Sequence, residues 1–367
     1  MPEFFDEEAP ARFNGENLTL AEIARLSGVS IGTVDRVVHR RGKVSAKNRQ
    51  KIEAVIGEYD YKPNIMARCL KQNFVLKVGL FLPGDFRSDS ALRFPHNGNF
   101  SAYWEMVVRG IKQAAETLKP FNIQTIPGFW GYGEGLTLED AGGRLMEAGL
   151  DALILSSAAP ERTLKLLEKA RDIPYVVVDS PLKDGRPLVT IMQNPWRGGQ
   201  TAGRIMRLLK RAGRFVCLHI NSSAYNIVER TQGFKDFFAG DAAVEIAEAV
   251  SESFVPDQVF GLLDGLFAAQ QIDGIFVPHA EVNVIADYLV KRGLKSRTAL
   301  IGYDNVPLNC QALADGSIDC IIAQRPEAQG YQAMYEIYRK CVLNQEALGQ
   351  REEIIEMPID VYFPENI

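Results

Sequence analysis

Residues 19–38 have the sequence TLAEIARLSGVSIGTVDRVV, which predicts two short helices joined by a tight turn. Thr19 and Glu22 have the spacing of a capping box, in which each side chain bonds the backbone of the other at a helix N-terminus. Gly28 suits the turn that follows, and Ser30 suits the cap of a second helix. Helix, glycine-containing turn and helix form the helix-turn-helix pattern, whose second helix enters the DNA major groove.

The residues after this stretch predict a third helix and then a linker. Ser45 suits the cap of a helix that ends near Glu58, and the three helices share an apolar face. That face is formed by Leu20, Ile23, Ala24, Val34, Val37, Val38, Ile52, Val55 and Ile56. We therefore predict an acidic N-terminal segment over 1–16, a small all-α helix-turn-helix DNA-binding domain over 17–60, and a hinge helix with its linker over 61–73.

The distribution of charge indicates a polyanionic partner for this small domain. The whole chain has a formal net charge of −5, but residues 17–72 contain eleven Lys and Arg against five Asp and Glu. A basic unit in front of a larger acidic one favours nucleic acid as the partner of the basic part. A helical face exposed only to water would have the same composition, so charge alone leaves both interpretations open.

Length and composition exclude several classes of protein. At about 150 residues per domain, 367 residues predict two or three folding units, and 46% hydrophobic residues exclude a mainly disordered chain. There is no apolar run long enough to span a membrane, and the acidic start lacks the apolar segment of a secretory signal. Five cysteines without a C-x-x-C pair fit a reducing cytoplasm, and we expect neither a metal site nor a cofactor.

The remaining sequence, 74–367, predicts a two-lobed α/β domain with parallel sheets. From Leu76 onward, short β-rich runs alternate with amphipathic helical patterns, as in strand–helix–strand units. About ten strands exceed one comfortable sheet, which predicts two similar lobes. We assign the N-lobe to about 76–192 and 325–350, and the C-lobe to about 193–324 and 351–367.

Polar and aromatic side chains lie near the predicted strand ends, where α/β folds bind ligands. The candidate effector-binding residues are Tyr103, Trp104, Asp179, Asn194, Arg230, His279, Asp304 and Gln324. Carboxylate, amide and guanidinium groups bond vicinal hydroxyls in pairs, and aromatic rings pack on the apolar face of a sugar ring. The set therefore favours a neutral polyol or sugar, although each polar residue alone could equally cap a helix.

The stretch 18–72 resembles the DNA-binding headpiece of the LacI/GalR family of bacterial transcription regulators. The matching residues are Ala24, Gly28, Val29, Ser30, Thr33, Val34, Arg36, Val37, Val44, Ser45, Arg49, Tyr61, Pro63, Asn64, Ala67 and Leu70. The resemblance implies DNA contacts by Ser30, Ile31, Gly32, Thr33, Arg36, His39, Asn64, Ala67 and Leu70. Within this set, Ile31, Gly32 and Arg36 correspond to base-reading positions, and Leu70 to the leucine that wedges into the minor groove.

The larger part, about 76–364, resembles type I periplasmic sugar-binding proteins and the matching effector domain of the same family. The stretches 173–179, 198–203, 301–304 and 322–324 carry the likeness. It implies that an interlobe cleft is lined by Trp104, Asp179, Asn194, Arg230, Asp304 and Gln324. Ser180 stands where ribose-type relatives have arginine, and His279 replaces an amide or acid, so the identity of the sugar stays open.

These expectations favour a non-enzymatic, sequence-specific repressor of carbohydrate-utilisation genes whose operator affinity is controlled by a sugar-like effector. We expect a cytoplasmic homodimer on pseudo-palindromic double-stranded DNA, with no membrane partner. A purine or nucleobase effector in the same fold is one alternative. A sugar kinase fused to a helix-turn-helix head is another, but the sequence lacks the acidic-glycine phosphate motif and the cysteine-rich metal loop that such kinases need.

Overall fold

The computed structural model describes the chain in nine ranges and divides it into two compact units, Met1–Phe74 and Val75–Ile367. The described residues are 19–38, 44–59, 75–84, 98–131, 137–170, 173–220, 224–253, 255–343 and 353–367. The hinge segment predicted over 61–73 lies outside them. Each unit is built around its own buried apolar residues, so the two are described separately.

The first unit contains three helices, α1 (Leu20–Ser27), α2 (Ile31–Val38) and α3 (Ala46–Glu58). The capping box is confirmed, because Thr19 Oγ1 accepts the Glu22 N–H and the Glu22 carboxylate accepts the Thr19 N–H at 2.7 Å. Gly28 ends α1 with a φ of 67°, a left-handed conformation that disfavours residues with a Cβ. The core consists of Ile23, Ala24, Val34, Val37, Ile52 and Val55.

The second unit begins with a six-stranded, fully parallel sheet in the order β2-β1-β3-β4-β5-β11. Its strands are β1 (Leu76–Phe81), β2 (Ile123–Pro127), β3 (Ala152–Ser156), β4 (Tyr175–Val178), β5 (Val189–Gln193) and β11 (Ile354–Met357). Its helices are α4 (Gly98–Thr117), α5 (Leu138–Glu147), α6 (Pro160–Lys169) and α12 (Pro326–Ile337), with a short 3-10 helix at Lys119–Phe121. The nearly continuous burial of β3, β4 and β5 explains their runs of Val, Ile and Leu.

A second six-stranded sheet repeats this plan in the order β7-β6-β8-β9-β10-β12. Its strands are β6 (Gly213–Ile220), β7 (Val244–Ser251), β8 (Gly274–Phe276), β9 (Ala299–Tyr303), β10 (Cys320–Ala323) and β12 (Asp360–Tyr362), of which β12 runs antiparallel to β10. Its helices are α7 (Pro195–Leu209), α8 (Tyr225–Phe237), α9 (Pro256–Ala269), α10 (Val282–Lys291) and α11 (Pro307–Ala314). In both sheets the strand order reverses beside the first strand, which is where such folds bind ligands.

The C-terminal segment corrects the predicted lobe boundaries. We assigned 351–367 to the C-lobe, but β11 pairs in parallel with β5, with Ile354 beside Thr190, and so belongs to the N-lobe sheet. Only β12 joins the C-lobe sheet, and the chain crosses between them at Pro358 and Ile359. Alternation along the sequence cannot show which sheet edge a terminal strand will join, because that choice depends on long-range pairing.

Three crossovers therefore connect the lobes, at 193–195, 323–326 and 357–360. The side chain of Gln193 links all three, because its Nε2 donates to Ala323 O at 2.9 Å and to Pro358 O at 3.4 Å. Arg325 and Asp360 add a bidentate ion pair between the second and third crossovers, at 2.6 and 2.8 Å. These contacts keep the connecting segments together as one hinge.

In each lobe, two helices approach so closely that only glycine fits at the contact. A Cβ on Gly199 of α7 would overlap the carbonyl oxygen of Arg230 in α8, and one on Gly233 of α8 would overlap Trp196 O. The N-lobe has the same arrangement between Gly110 of α4 and Gly330 of α12. Within the 198–203 stretch, Gly199 thus allows close packing of α7 on the backbone of Arg230, whereas Gly198 and Gly203 make room for the side chains of Tyr303 and Phe237.

We expect Gly199→Ala to destabilise the second unit by about 1–3 kcal/mol or more, because the added methyl forces α7 and α8 apart. Gly261→Ala is the matched control, since Gly261 is also helical but has open space where a Cβ would lie. This variant should leave the free energy of unfolding unchanged or raise it by up to about 1 kcal/mol. Tryptophan fluorescence during urea unfolding measures both, because Trp104, Trp130 and Trp196 all lie in this unit. Equal stabilities of the two variants would contradict the close-packing argument.

Candidate functional site

Two aspartates occupy equivalent positions, one in each lobe. Asp179 directly follows β4 and Asp304 directly follows β9, and both have a left-handed backbone, with φ values of 77° and 66°. Each backbone is held by a bond to a neighbouring strand, from Asp179 N–H to Ile191 O at 3.0 Å and from Asp304 N–H to Ile322 O at 2.8 Å. Strained non-glycine residues of this kind concentrate at functional sites.

Asp179 connects the two lobes. Its Oδ1 accepts from the Tyr103 hydroxyl of α4 at 2.9 Å, and its Oδ2 accepts from Asn226 Nδ2 of α8 at 3.1 Å. The Ser180 hydroxyl donates to the same Oδ2 at 3.2 Å. Because α4 belongs to the N-lobe and α8 to the C-lobe, the structure shows the lobes closed on each other at this carboxylate.

Arg230 begins a hydrogen-bonded chain that ends at Asp304. Its Nη1 donates to Pro278 O and its Nη2 to Gln324 Oε1, both at 2.9 Å, and Gln324 Nε2 donates to Asp304 Oδ1 at 2.9 Å. The guanidinium carbon lies 3.8 Å from the centre of the Tyr303 ring, a cation–π contact. Arg230 is only 2% exposed, and its Nε has no partner among the described residues.

Two residues that the sequence analysis did not select also belong to this site. Gln329 of α12, which is fully buried, accepts the Asp179 N–H at 3.1 Å and donates to Gln324 O at 2.9 Å. Asn226 was missed as well, although it lies one helical turn before Arg230 and therefore on the same face of α8. Gln329 could have been found in a similar way, because it is a glutamine among the inward-facing residues of α12.

His279 lies at the end of β8, where both of its ring nitrogens are used within the protein. Nε2 accepts the Ile220 N–H at 3.0 Å, which assigns the proton to Nδ1, and Nδ1 lies 2.7 Å from Glu281 Oε2. The other carboxylate oxygen of Glu281 is buried and has no partner among the described residues. The structure thus adds Glu281, another residue that the sequence analysis did not select.

Burial dominates the electrostatics of the two aspartates. Burial raises the pKa of Asp304 to about 6; Arg230 and Gln324 oppose this shift, whereas the negative charges of Asp179 and Glu281 add to it. Burial also raises the pKa of Asp179, again against the effect of Arg230. The pKa of the Tyr103 hydroxyl is raised well above its usual range by burial and by Asp179. The cleft therefore holds carboxylates whose ionised form is disfavoured in the closed protein.

Two other predicted residues have more local roles in this structure. Asn194 caps α7, because its Oδ1 accepts the Arg197 N–H at 3.0 Å. This is the helix-capping role that the sequence left open for each polar residue. Trp104 is 1% exposed and packs edge-on against Tyr103, with 5.2 Å between ring centres. The structure therefore brings together Tyr103, Asp179, Arg230, Asp304 and Gln324, with Trp104 packed behind Tyr103.

In the first unit, the predicted DNA-contacting residues that are described lie on or beside one face of α2. Ser30 precedes the helix, where its Oγ accepts the Thr33 N–H at 3.3 Å and lies 2.8 Å from Thr33 Oγ1. Ile31, Gly32 and Arg36 are exposed, whereas Val34 and Val37 face the core. His39, Asn64, Ala67 and Leu70 lie outside the described residues.

Neither a metal centre nor a membrane segment was found in the described part of the chain. Among those residues, no group of three or more His, Cys, Asp or Glu side chains is arranged to hold a metal ion. Within the same ranges, no helix combines the length and apolar character needed to cross a bilayer.

Two family models match the chain, in agreement with its two units. The model described as bacterial regulatory proteins, lacI family, matches residues 19–64, and the model described as periplasmic binding protein domain matches residues 94–344. The first match covers the three helices of the small unit, and the second covers most of the two-lobed unit.

Named relatives agree with these models. The regulator MalR of Streptococcus pneumoniae is 28% identical over 173 residues, and this chain covers about half of its length, 48%. The repressor PurR of Escherichia coli is 28% identical over 303 residues, which are 78% of this chain and 81% of PurR. A lac repressor dimer bound to operator has the same fold, with a TM-score of 0.61 and 17% identity over 94% of this chain and 97% of that one.

The raised pKa of Asp304 predicts how stability depends on pH. A carboxyl group that holds its proton more tightly in the folded state stabilises the fold below the unfolded pKa, and this contribution disappears as the pH rises to about 6. The side chain of Asp304→Asn cannot ionise. We expect the free energy of unfolding of this variant to exceed that of the wild type by up to about 3 kcal/mol at neutral pH, and the difference to disappear near pH 4. Asparagine also tolerates the left-handed backbone.

Thermal unfolding of both proteins across this pH range measures the difference. Glu252→Gln is the control, because it removes an exposed carboxylate and should show the same dependence of stability on pH as the wild type. An Asp304→Asn protein that is less stable than the wild type at neutral pH would mean that ionised Asp304 stabilises the closed cleft.

Proposed function

The chain belongs to the LacI family of bacterial regulatory proteins, with a periplasmic binding protein domain, and from this we propose that it is a DNA-binding repressor controlled by a small-molecule effector. The observation that carries the proposal is the combination of an exposed α2 face in a helix-turn-helix unit with a cleft closed between two lobes. The first feature suits DNA reading, and the second suits a ligand-dependent change of shape.

The DNA-reading role is supported by the exposed side of α2. Arg36 is a donor that can bond guanine, and Ile31, which is 53% exposed, can contact a thymine methyl group. Gly32 has open space where a Cβ would lie, so no residue that the structure describes requires a glycine there. A close approach of the helix backbone to DNA would require one. We propose a homodimer that reads two halves of a pseudo-palindromic operator.

The effector role is assigned to the cleft around Asp179, Arg230, Asp304 and Gln324. Carboxylate, amide and guanidinium groups in one small volume suit the paired hydroxyls of a monosaccharide or related polyol. In the closed structure these groups bond one another, so an effector must replace the existing hydrogen bonds with its own. The regulated genes would accordingly be those of carbohydrate use, and a nucleobase effector is the alternative to be tested in parallel.

Effector binding would shift the balance between open and closed lobes, and through it the affinity for DNA. Such coupling typically amounts to about 1–3 kcal/mol and is reciprocal, so DNA must change effector affinity by the same factor. The direct test measures operator affinity with and without candidate effectors, on operators selected from random DNA by the purified protein. A purified protein that selects no DNA sequence would contradict the proposal.

We expect Arg36→Ala to weaken binding to the selected operator by about 1–3 kcal/mol and to relax the preference at one base pair, because it removes a base-edge donor. Lys51→Ala is the matched control. Lys51 is an exposed cation on α3, and its removal should lower the affinity for all DNA sequences about equally. Titrations at one fixed salt concentration compare the two. A uniform loss for Arg36→Ala would assign it to phosphate contact instead.

We expect Asp304→Asn to retain operator binding but lose the response to the effector. Replacing the carboxylate removes a charge-assisted acceptor of ligand hydroxyls, worth about 1.5–3 kcal/mol, while the fold is kept. Thermal shift measures ligand binding, because a ligand at about 100 times its Kd adds about 2.7 kcal/mol of stability. Operator release at the same effector concentration in both proteins would exclude Asp304 from the site.

A further inference from the structure

Three carboxylates and one guanidinium lie near one another in the cleft, counted over the described residues. Arg230 bonds Pro278 O, and Asn309 Nδ2 donates to both Ala280 O at 2.7 Å and Asp304 O at 2.9 Å, which places the segment of Glu281 beside Asp304. Asp179, Asp304 and Glu281 lie close enough that the negative charges of the first and third act on the second, and Arg230 acts on both aspartates with the opposite sign. These groups come from four elements, the ends of β4 and β9, the start of α10, and α8. When all are ionised, the cleft carries an excess of two negative charges.

Arg230 cannot balance this excess, because it carries only one positive charge. Both of its Nη atoms donate to chain acceptors, Pro278 O and Gln324 Oε1, and its plane covers the Tyr303 ring. One guanidinium neutralises one carboxylate at most. The other groups that bond Asp179, namely Tyr103, Ser180 and Asn226, are donors without charge.

Glu281 supplies the second observation that indicates a missing donor. The residue is 8% exposed, its Oε2 contacts His279 Nδ1, and its Oε1 is buried with no hydrogen-bond partner in the described part of the chain. A buried carboxylate oxygen without a donor is unfavourable, more so when other carboxylates lie near it. Glu281 Oε1 therefore lacks a hydrogen-bond donor, and the three carboxylates together lack a second positive charge, whereas the unpartnered Nε of Arg230 can donate to a hydroxyl oxygen of a ligand.

We infer that the effector is a polyol bearing a protonated amine, such as an amino sugar. This inference rests on the proposed function, because it takes the cleft as the effector site. An ammonium group supplies three N–H donors and one positive charge, which reduces the excess, while the ring hydroxyls bond the remaining carboxylate and amide oxygens. A uronate or a sugar phosphate would add negative charge to carboxylates that already outnumber the one guanidinium, of which only Nε is without a partner among the described residues.

The test compares matched sugars that differ in one group. Binding to the full chain is measured by calorimetry at neutral pH for glucosamine, glucose, N-acetylglucosamine and glucuronate, and for the corresponding galactose and mannose series. In at least one series the amine should bind tenfold or more tightly than its neutral parent, a difference of about 1.4 kcal/mol. The N-acetyl sugar should show no such gain, because it keeps the nitrogen but not the charge, and the uronate should bind weakest.

Variants then locate the charge that recognises the amine. Glu281→Gln keeps the shape of the side chain and should reduce the ratio of amine to parent affinity by about tenfold, which is about 1.4 kcal/mol. Glu245→Gln, which removes an exposed carboxylate on β7, should leave that ratio unchanged. If Glu281→Gln does not fold, Asp304→Asn takes its place, and the ratio should fall in the same way.

The possible outcomes separate this inference from the proposed function. Neutral sugars that bind and alter operator affinity, with no preference for any amine, would overturn the inference and leave the proposed function standing. The same holds if a uronate binds most tightly, or if the amine preference survives in the Glu281 variant. If no sugar binds but a nucleobase does, the sugar effector and the inference both fail.

Discussion

The burial of the Arg230 guanidinium is the constraint on which the cleft depends. Arg230 is 2% exposed, so protein acceptors must replace the water that its guanidinium has lost. An unpaired buried charge is strongly destabilising. Pro278 O, Gln324 Oε1 and the Tyr303 ring meet most of that need, and Gln324 in turn donates to Asp304. Among the described residues, only Nε of the guanidinium is left without a partner. The close contact of Gly199 with the Arg230 backbone holds the guanidinium in place from the other side.

The two lobes are copies of one plan, and this limits how the protein can move. Each lobe has a glycine-packed helix pair and an aspartate with a left-handed backbone at a strand end. Close packing of this kind favours movement of each lobe as a rigid body about the three crossovers. Gln193 bonds the second and third crossovers from the first, and it therefore makes the three segments bend together rather than independently.

Closure of the cleft and its charge act in opposite directions. The bond between Asp179 and Asn226 joins the two lobes, whereas burial disfavours the ionised form of Asp304, whose pKa it raises. A ligand that relieves this repulsion stabilises the closed lobes more than the open ones. Only such a differential affinity can shift a conformational equilibrium. Under the proposed function, the charge of the cleft would bear both on which ligand is selected and on the shift between open and closed lobes.

The sequence by itself determined the features that depend on local pattern. The capping box at Thr19, the turn at Gly28 and the strand-helix alternation follow from spacing along the chain, and placing Asp179 and Asp304 at strand ends needs only the strand boundaries. The tertiary structure decided what depends on distant residues. It placed Gln329 against Asp179, joined β11 to the N-lobe sheet, and brought Asn226 of one lobe to Asp179 of the other. None of these follows from local pattern, because each depends on which distant elements come to lie side by side.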